Sequence, residues 1–317
     1  MQSAARPDSA RRRLTQITVV APGRGFAALR YGHRVASTKK LFAGLTRRGP
    51  HRVLRGDLAF AGVPGVVYTP ESGMNLPGVV FGHDWMAQAA NYTGTLEHLA
   101  SWGIVAAAPD TEKGLAPSVL NFAFDLGSAL EIITGVRLGT GKISVHPGKR
   151  GVVGHGFGGS AAVFAAAGMG GGPHRPKAVV ALFPTVTTPR AEQPASTLQV
   201  PGLVLTAPGD PMTLRSNAVE LARAWDGATL RTVSKAKAGG LIQGRRLARF
   251  LGLPGADRET QKMVRALLTG YLLATLTGDK TYRDFADPEV ALPHTETADP
   301  NADPVALEDK VVALLKP

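Results

Sequence analysis

Five short, predominantly apolar runs punctuate the middle of this chain, and they constrain its fold more than any other feature. They are Gly78–Phe81, Gly103–Ala108, Arg150–Val153, Ala178–Phe183 and Pro201–Thr206, each bounded by turn residues. A strand exposed on one face alternates apolar and polar residues. Runs that do not alternate suit strands covered on both faces. Helical stretches separate them: Asn91–Trp102, Leu120–Gly135, Gly159–Gly168, Leu214–Trp225 and Arg258–Thr277. Strand and helix in alternation predict an α/β protein with a doubly wound, mainly parallel sheet. Ahead of the series, residues 57–68 read as two strands around a Gly/Pro turn. The gap between the strand at Val152 and the one at Ala178 is too short for a cap domain, so any site at this end of the sheet is expected to lie open.

The chain has 317 residues, 44% of them hydrophobic, enough for one sizeable core. It contains no cysteine, which excludes disulfides, thiolate metal sites and a cysteine nucleophile. No apolar run approaches the length of a bilayer span. The stretch Ile17–Ala21 is too short for a signal-peptide core and is broken by Pro22. These features lead us to expect a cytoplasmic protein.

Charge is distributed unevenly. Residues 1–56 hold 13 Lys and Arg and one acid, Asp8, and so account for the whole net charge of +12; the remainder is neutral. Three segments are expected: a basic arm over 1–52, partly disordered or forming an amphipathic helix; an α/β domain over 53–286; and a Pro-containing acidic tail over 287–317. The tail reads as a linker followed by a short helix over Val305–Leu315. Arg11, Arg12, Arg13, Arg30, Arg34, Lys39, Lys40, Arg47 and Arg48 are the arm's candidates for an anionic partner, either the inner face of a membrane or an acidic protein surface. Phe26, Leu41 and Phe42 lie among these charges at approximate helical spacing. The stretch fits a helix lying on a membrane or one packed on the body, and a plain solubilising leader accounts equally well for the charge.

The sharpest local signal is Gly151-Val-Val-Gly-His-Gly-Phe-Gly-Gly-Ser160. An apolar strand ends at Gly154-His155, turns through glycines and enters a helix of small residues. This is the context of the G-x-S-x-G nucleophile elbow, but the central position here is Gly156. With Leu76–Asp84, Leu99–Thr111, Val200–Pro211 and Thr281–Phe285, the motif makes residues 55–290 resemble the α/β-hydrolase superfamily, in the branch of polyesterases, cutinase-like lipases and dienelactone hydrolases. The resemblance implies a triad in the order Ser, Asp, His, and this chain carries only part of it. The nucleophile falls on Gly156, which has no attacking atom. The acid falls on Asp210. The base falls on Ala238 or Gly239, in a loop without histidine. After Asp210 the sequence holds one histidine, His294, 84 residues later in the expected linker. The oxyanion loop reads Gly82-His83-Asp84-Trp85, where a carboxylate would repel a developing oxyanion. With Phe157 after the elbow, His83, Asp84 and Trp85 are the expected pocket residues.

Two replacements for the missing chemistry stand beside the depleted triad. Ser160 lies one helical turn past the elbow and could serve as an alternative nucleophile, although capping or small-residue packing explains it as well. His83 with Asp84 could activate a water, although polar loop residues more often face solvent. His155 reads as scaffold. The histidines show no metal-ligand spacing, and no cofactor is expected. No nucleic-acid-binding signature is present. The basic loop containing Lys235, Lys237, Arg245, Arg246 and Arg249 follows the triad acid and would favour an anionic ligand if it lined the cleft. The sequence therefore leads to a catalytically depleted hydrolase-like protein that binds a small apolar or ester-like ligand, a lipid or a protein partner. The alternatives are an unconventional ester hydrolase and a basic-arm scaffold at a membrane surface.

Overall fold

A computed structural model describes residues 38–172, 175–244 and 255–301. Arg11, Arg12, Arg13, Arg30, Arg34, Arg245, Arg246, Arg249 and the expected helix over 305–315 lie outside these residues.

The strands are β1 Val53–Asp57, β2 Gly65–Pro70, β3 Gly73–Gly82, β4 Val105–Pro109, β5 Ile143–His155, β6 Ala178–Leu182, β7 Gly202–Thr206, β8 Ala228–Val233 and β9 Thr295–Thr297. They form one sheet in the order β1-β2-β4-β3-β5-β6-β7-β8-β9. Pairing is parallel from β4 through β3, β5, β6 and β7 to β8, and antiparallel at both edges. The helices are α1 over 38–45, α2 Thr93–Ser101, α3 Val119–Gly135, α4 Phe157–Gly168, α5 Glu192–Ala195, α6 Ala218–Ala224 and α7 Arg258–Leu272.

The non-alternating runs have the predicted cause. Along β3, Val79 and Phe81 face a core built with α1, α2 and α7, while Val80 faces a second core built with α3, α4 and α6. Val180 and Leu182 of β6 divide from Val179 and Ala181 in the same way, as do Leu203 and Leu205 of β7 from Val204. The fold is thus an α/β protein with a mainly parallel sheet and helices on both faces.

Strand order reverses around β3. The chain leaves β3 through α2 on one face to reach β4, then crosses through α3 on the other face to reach β5. Right-handed crossovers in opposite directions put their helices on opposite faces. The ends of β3 and β5 are therefore left uncovered between them, and such a crevice is the usual ligand position in open α/β sheets.

Two segments differ from the expected boundaries. Helix α1 belongs to the body: Phe42 and Leu45 are buried, and Phe42 stacks on Phe285 at 6.4 Å between ring centroids. Thr38 donates to the buried carboxylate of Asp284. Phe42 is therefore unavailable for membrane insertion, whereas Lys39, Lys40, Arg47 and Arg48 are exposed. The expected linker after 287 contains β9, which pairs with β8. Buried Arg231 of β8 holds this return, donating to the Thr297 hydroxyl at 3.1 Å and to the Asp287 carbonyl at 2.8 Å. No helix among the described residues is long and apolar enough to cross a membrane.

Candidate functional site

The turn between β5 and α4 is set by Gly156, at φ 56° and ψ −120°. A side chain is strained at this positive φ, and glycine adopts it freely. Close packing behind the turn also requires glycine, because a Cβ on Gly158 would overlap the Gly82 carbonyl of β3. The turn points the backbone N–H of Phe157, the first residue of α4, at the crevice.

That N–H is already engaged. Asp84, just past the end of β3, accepts from Phe157 N at 2.9 Å and from Trp85 N at 2.8 Å, both on the same oxygen, Oδ1. A carboxylate is well placed there, because unpaired N–H groups at a helix N-terminus attract negative charge. A Cβ built on Gly156 would overlap this carboxylate. Asp84 thus fills the space that a side chain at position 156 would occupy and uses the donor following it.

The Asp84 loop is anchored by a chain of hydrogen bonds whose directions are fixed at both ends. Asp84 N can only donate, and it donates to the Tyr92 hydroxyl at 3.1 Å. Tyr92 lies 2.7 Å from His155 Nδ1, and His155 Nε2 lies 2.8 Å from the Ala238 carbonyl, which can only accept. The consistent assignment has Tyr92 donating to Nδ1 and Nε2–H donating to Ala238. His155 is accordingly structural, tying the Asp84 loop to the loop after β8. Tyr92 had no motif around it to mark this role in the sequence.

Asp84, Asp210, Ala238 and Gly239, which are far apart in sequence, line one cleft of about 310 Å³ with Trp85, Met86, Phe183, Thr185 and Arg215. A second cleft of about 450 Å³ adjoins it, sharing Asp84, Trp85, Thr185 and Arg215 and adding Phe157, Val186 and Leu214. Trp85, Met86, Val186 and Leu214 leave more than a third of their surface exposed around these openings. Asp210 follows β7, and its Oδ2 accepts from Ala207 N at 2.8 Å and from the Thr206 hydroxyl at 3.3 Å. Burial raises its pKa above the ordinary aspartate value, opposed by these hydrogen bonds and by His155.

The other candidates stand elsewhere. Ser160 is fully buried in α4, and its hydroxyl donates to the Thr185 carbonyl at 2.6 Å. It is turned into the packing and does not face the cleft as a nucleophile would. His83 is buried, with Nδ1 2.9 Å from the Asp84 carbonyl and Nε2 2.8 Å from the Thr111 carbonyl. It contacts the backbone of Asp84 and not its carboxylate, so the pair is not arranged to activate water. Lys235 and Lys237 are exposed, and Ala238 and Gly239 of that loop form the cleft wall. His294 lies against Phe42 beside β9, at 5.7 Å between ring centroids. Among the described residues no group of His, Asp and Glu could hold a metal ion. Arg215 is a site residue that sequence reasoning missed, since a lone arginine in a polar stretch carries no signal. No protein-family model matches the chain, and no curated protein matches it.

Proposed function

We propose that this chain is a catalytically depleted protein of α/β-hydrolase type, which acts by binding a small, largely apolar ligand in the cleft beside Asp84. The strand order around β3, the positive-φ turn at Gly156, and the meeting of Asp210 with Ala238 and Gly239 in one cleft all support the hydrolase-type reading. The observation that carries the loss of chemistry is the Asp84 carboxylate. It sits where the nucleophile's side chain would be and occupies the N–H that would stabilise an oxyanion. Acyl transfer needs a nucleophile, a base and a free pair of oxyanion donors. Here the first two positions hold glycine and alanine or glycine, and the Phe157 donor is taken. The retained cleft, with exposed apolar side chains at its mouth, suits binding.

Reaction with an alkyl fluorophosphonate, which phosphonylates activated serines, tests this reading. Intact-mass spectrometry should find the protein unmodified under conditions that label an active serine hydrolase completely. An adduct mapping to Ser160 would overturn the proposal in favour of an unconventional serine hydrolase.

A further inference from the structure

The two backbone donors around Asp84 form a built anion site that the protein fills from within. Trp85 N and Phe157 N converge on one oxygen, at 2.8 and 2.9 Å. A ligand carbonyl or carboxylate approaching this point would have to displace Asp84, and would meet its negative charge first. The other carboxylate oxygen, Oδ2, receives no hydrogen bond among the described residues. Asp210 opens on the same cleft with one oxygen in the same condition, since both of its hydrogen bonds fall on Oδ2. The acceptors left open on these two side chains are therefore carboxylate oxygens. Trp85 adds an aromatic surface on the same wall, and such a surface attracts cations. Among the described residues Arg215 is the one cation lining this cleft, and it also lines the adjoining one, so the described wall carries two carboxylates to one guanidinium.

We infer that Asp84 inverts the polarity of the cleft, so that it takes a ligand with an ammonium head group on an apolar body and excludes carboxylates and esters. The inference rests on the proposed ligand-binding function and names the class of ligand. In this arrangement the head group donates to Asp84 Oδ2, Asp210 adds negative charge to the same cleft, and the apolar body lies along Trp85, Met86 and Phe183. Charge-assisted hydrogen bonds are the strong ones, and an ammonium gains one at Asp84 where a carboxylate meets repulsion.

Isothermal titration of the full-length protein with three six-carbon probes, hexylammonium, hexanoate and hexanol, tests the inference. Hexylammonium should bind at least tenfold more tightly than hexanoate. In Asp84→Asn the backbone hydrogen bonds can persist through the amide oxygen while the charge is lost, and the preference should fall below threefold. In Asp84→Ala the two N–H groups are released, and hexanoate should become the tighter ligand. If Asp84→Ala does not fold, Asp84→Asn alone decides. Equal or tighter binding of hexanoate by the unaltered protein would overturn the inference, as would an undiminished preference in Asp84→Asn. If hexanol or hexanoate binds without a preference for ammonium, the inference fails while the binding function stands. If none of the three binds, both fail.

Discussion

Gly156 and Asp84 are two halves of one local arrangement, and neither is explained without the other. Serine at position 156 would suffer the backbone strain of its positive φ, on the order of 1–3 kcal/mol, and would push Asp84 off its two donors. Gly156→Ser should therefore lower stability by more than the strain alone. Adding Asp84→Gly removes the obstructing carboxylate, so the double variant should be more stable than the sum of the single changes predicts, by roughly 1–3 kcal/mol, as neighbouring residues commonly couple. Chemical denaturation of the four proteins measures this, and strict additivity would mean that the two residues do not share the space. The turn at Gly156 was legible in the sequence because a strand–turn–helix motif surrounds it, and the resemblance pointed to Asp210, Ala238 and Gly239, which line one cleft. The position of the Asp84 carboxylate was not, since it depends on the backbone path after β3. His83 misled for a similar reason: a polar label gives no hint that both ring nitrogens face main-chain carbonyls.

At the level of elements, what could be read depended on burial. The central strands were legible because apolar side chains cover both of their faces. β9 was not, because Thr295-Glu-Thr297 has no apolar pattern and is held at the sheet edge by pairing with β8 and by Arg231. α1 left two readings open, and buried Phe42 and Leu45 identify the packed one. The contact of α2 with α1 and α7 contains a pH-sensitive group. Burial and the nearby Arg265 guanidinium lower the pKa of His98 to about 4, partly opposed by its hydrogen bond to the Leu45 backbone. This value lies below the ordinary histidine value of 6.5, so the unfolded chain takes up the proton first on acidification. The stability His98 contributes is complete above pH 6.5 and is lost as pH falls towards 4, with a slope of up to roughly 1.4 kcal/mol per pH unit. Urea denaturation at pH 7, 5.5 and 4.5 should show this loss in the unaltered protein and a flatter dependence in His98→Gln. Equal slopes would assign the acid sensitivity to other groups.

Considered whole, the molecule joins an α/β body, neutral beyond residue 56, to a basic N-terminal region. The body places a cleft at the reversal of strand order and lines it with apolar surface and two carboxylates. The region over residues 1–56, α1 included, carries the net charge of +12. If it serves an anionic surface, attachment should weaken steeply with salt, each engaged cation contributing about 1 kcal/mol near an acidic bilayer. The protein should then co-sediment with anionic but not neutral liposomes at low salt, and a form lacking residues 1–37, which loses half of that net charge, should co-sediment less and dissociate at lower salt. Retention of full-length protein in the supernatant would leave the segment to a protein partner or to solubility. The central claim is the one proposed for the cleft, that it keeps a hydrolase-type architecture without acyl-transfer chemistry. The hydrolysis of 4-nitrophenyl butyrate by the unaltered protein and by Gly156→Ser tests it most directly. The account predicts that neither exceeds the buffer blank, because the restored hydroxyl has no base to activate it. Saturable turnover by either protein would contradict the account.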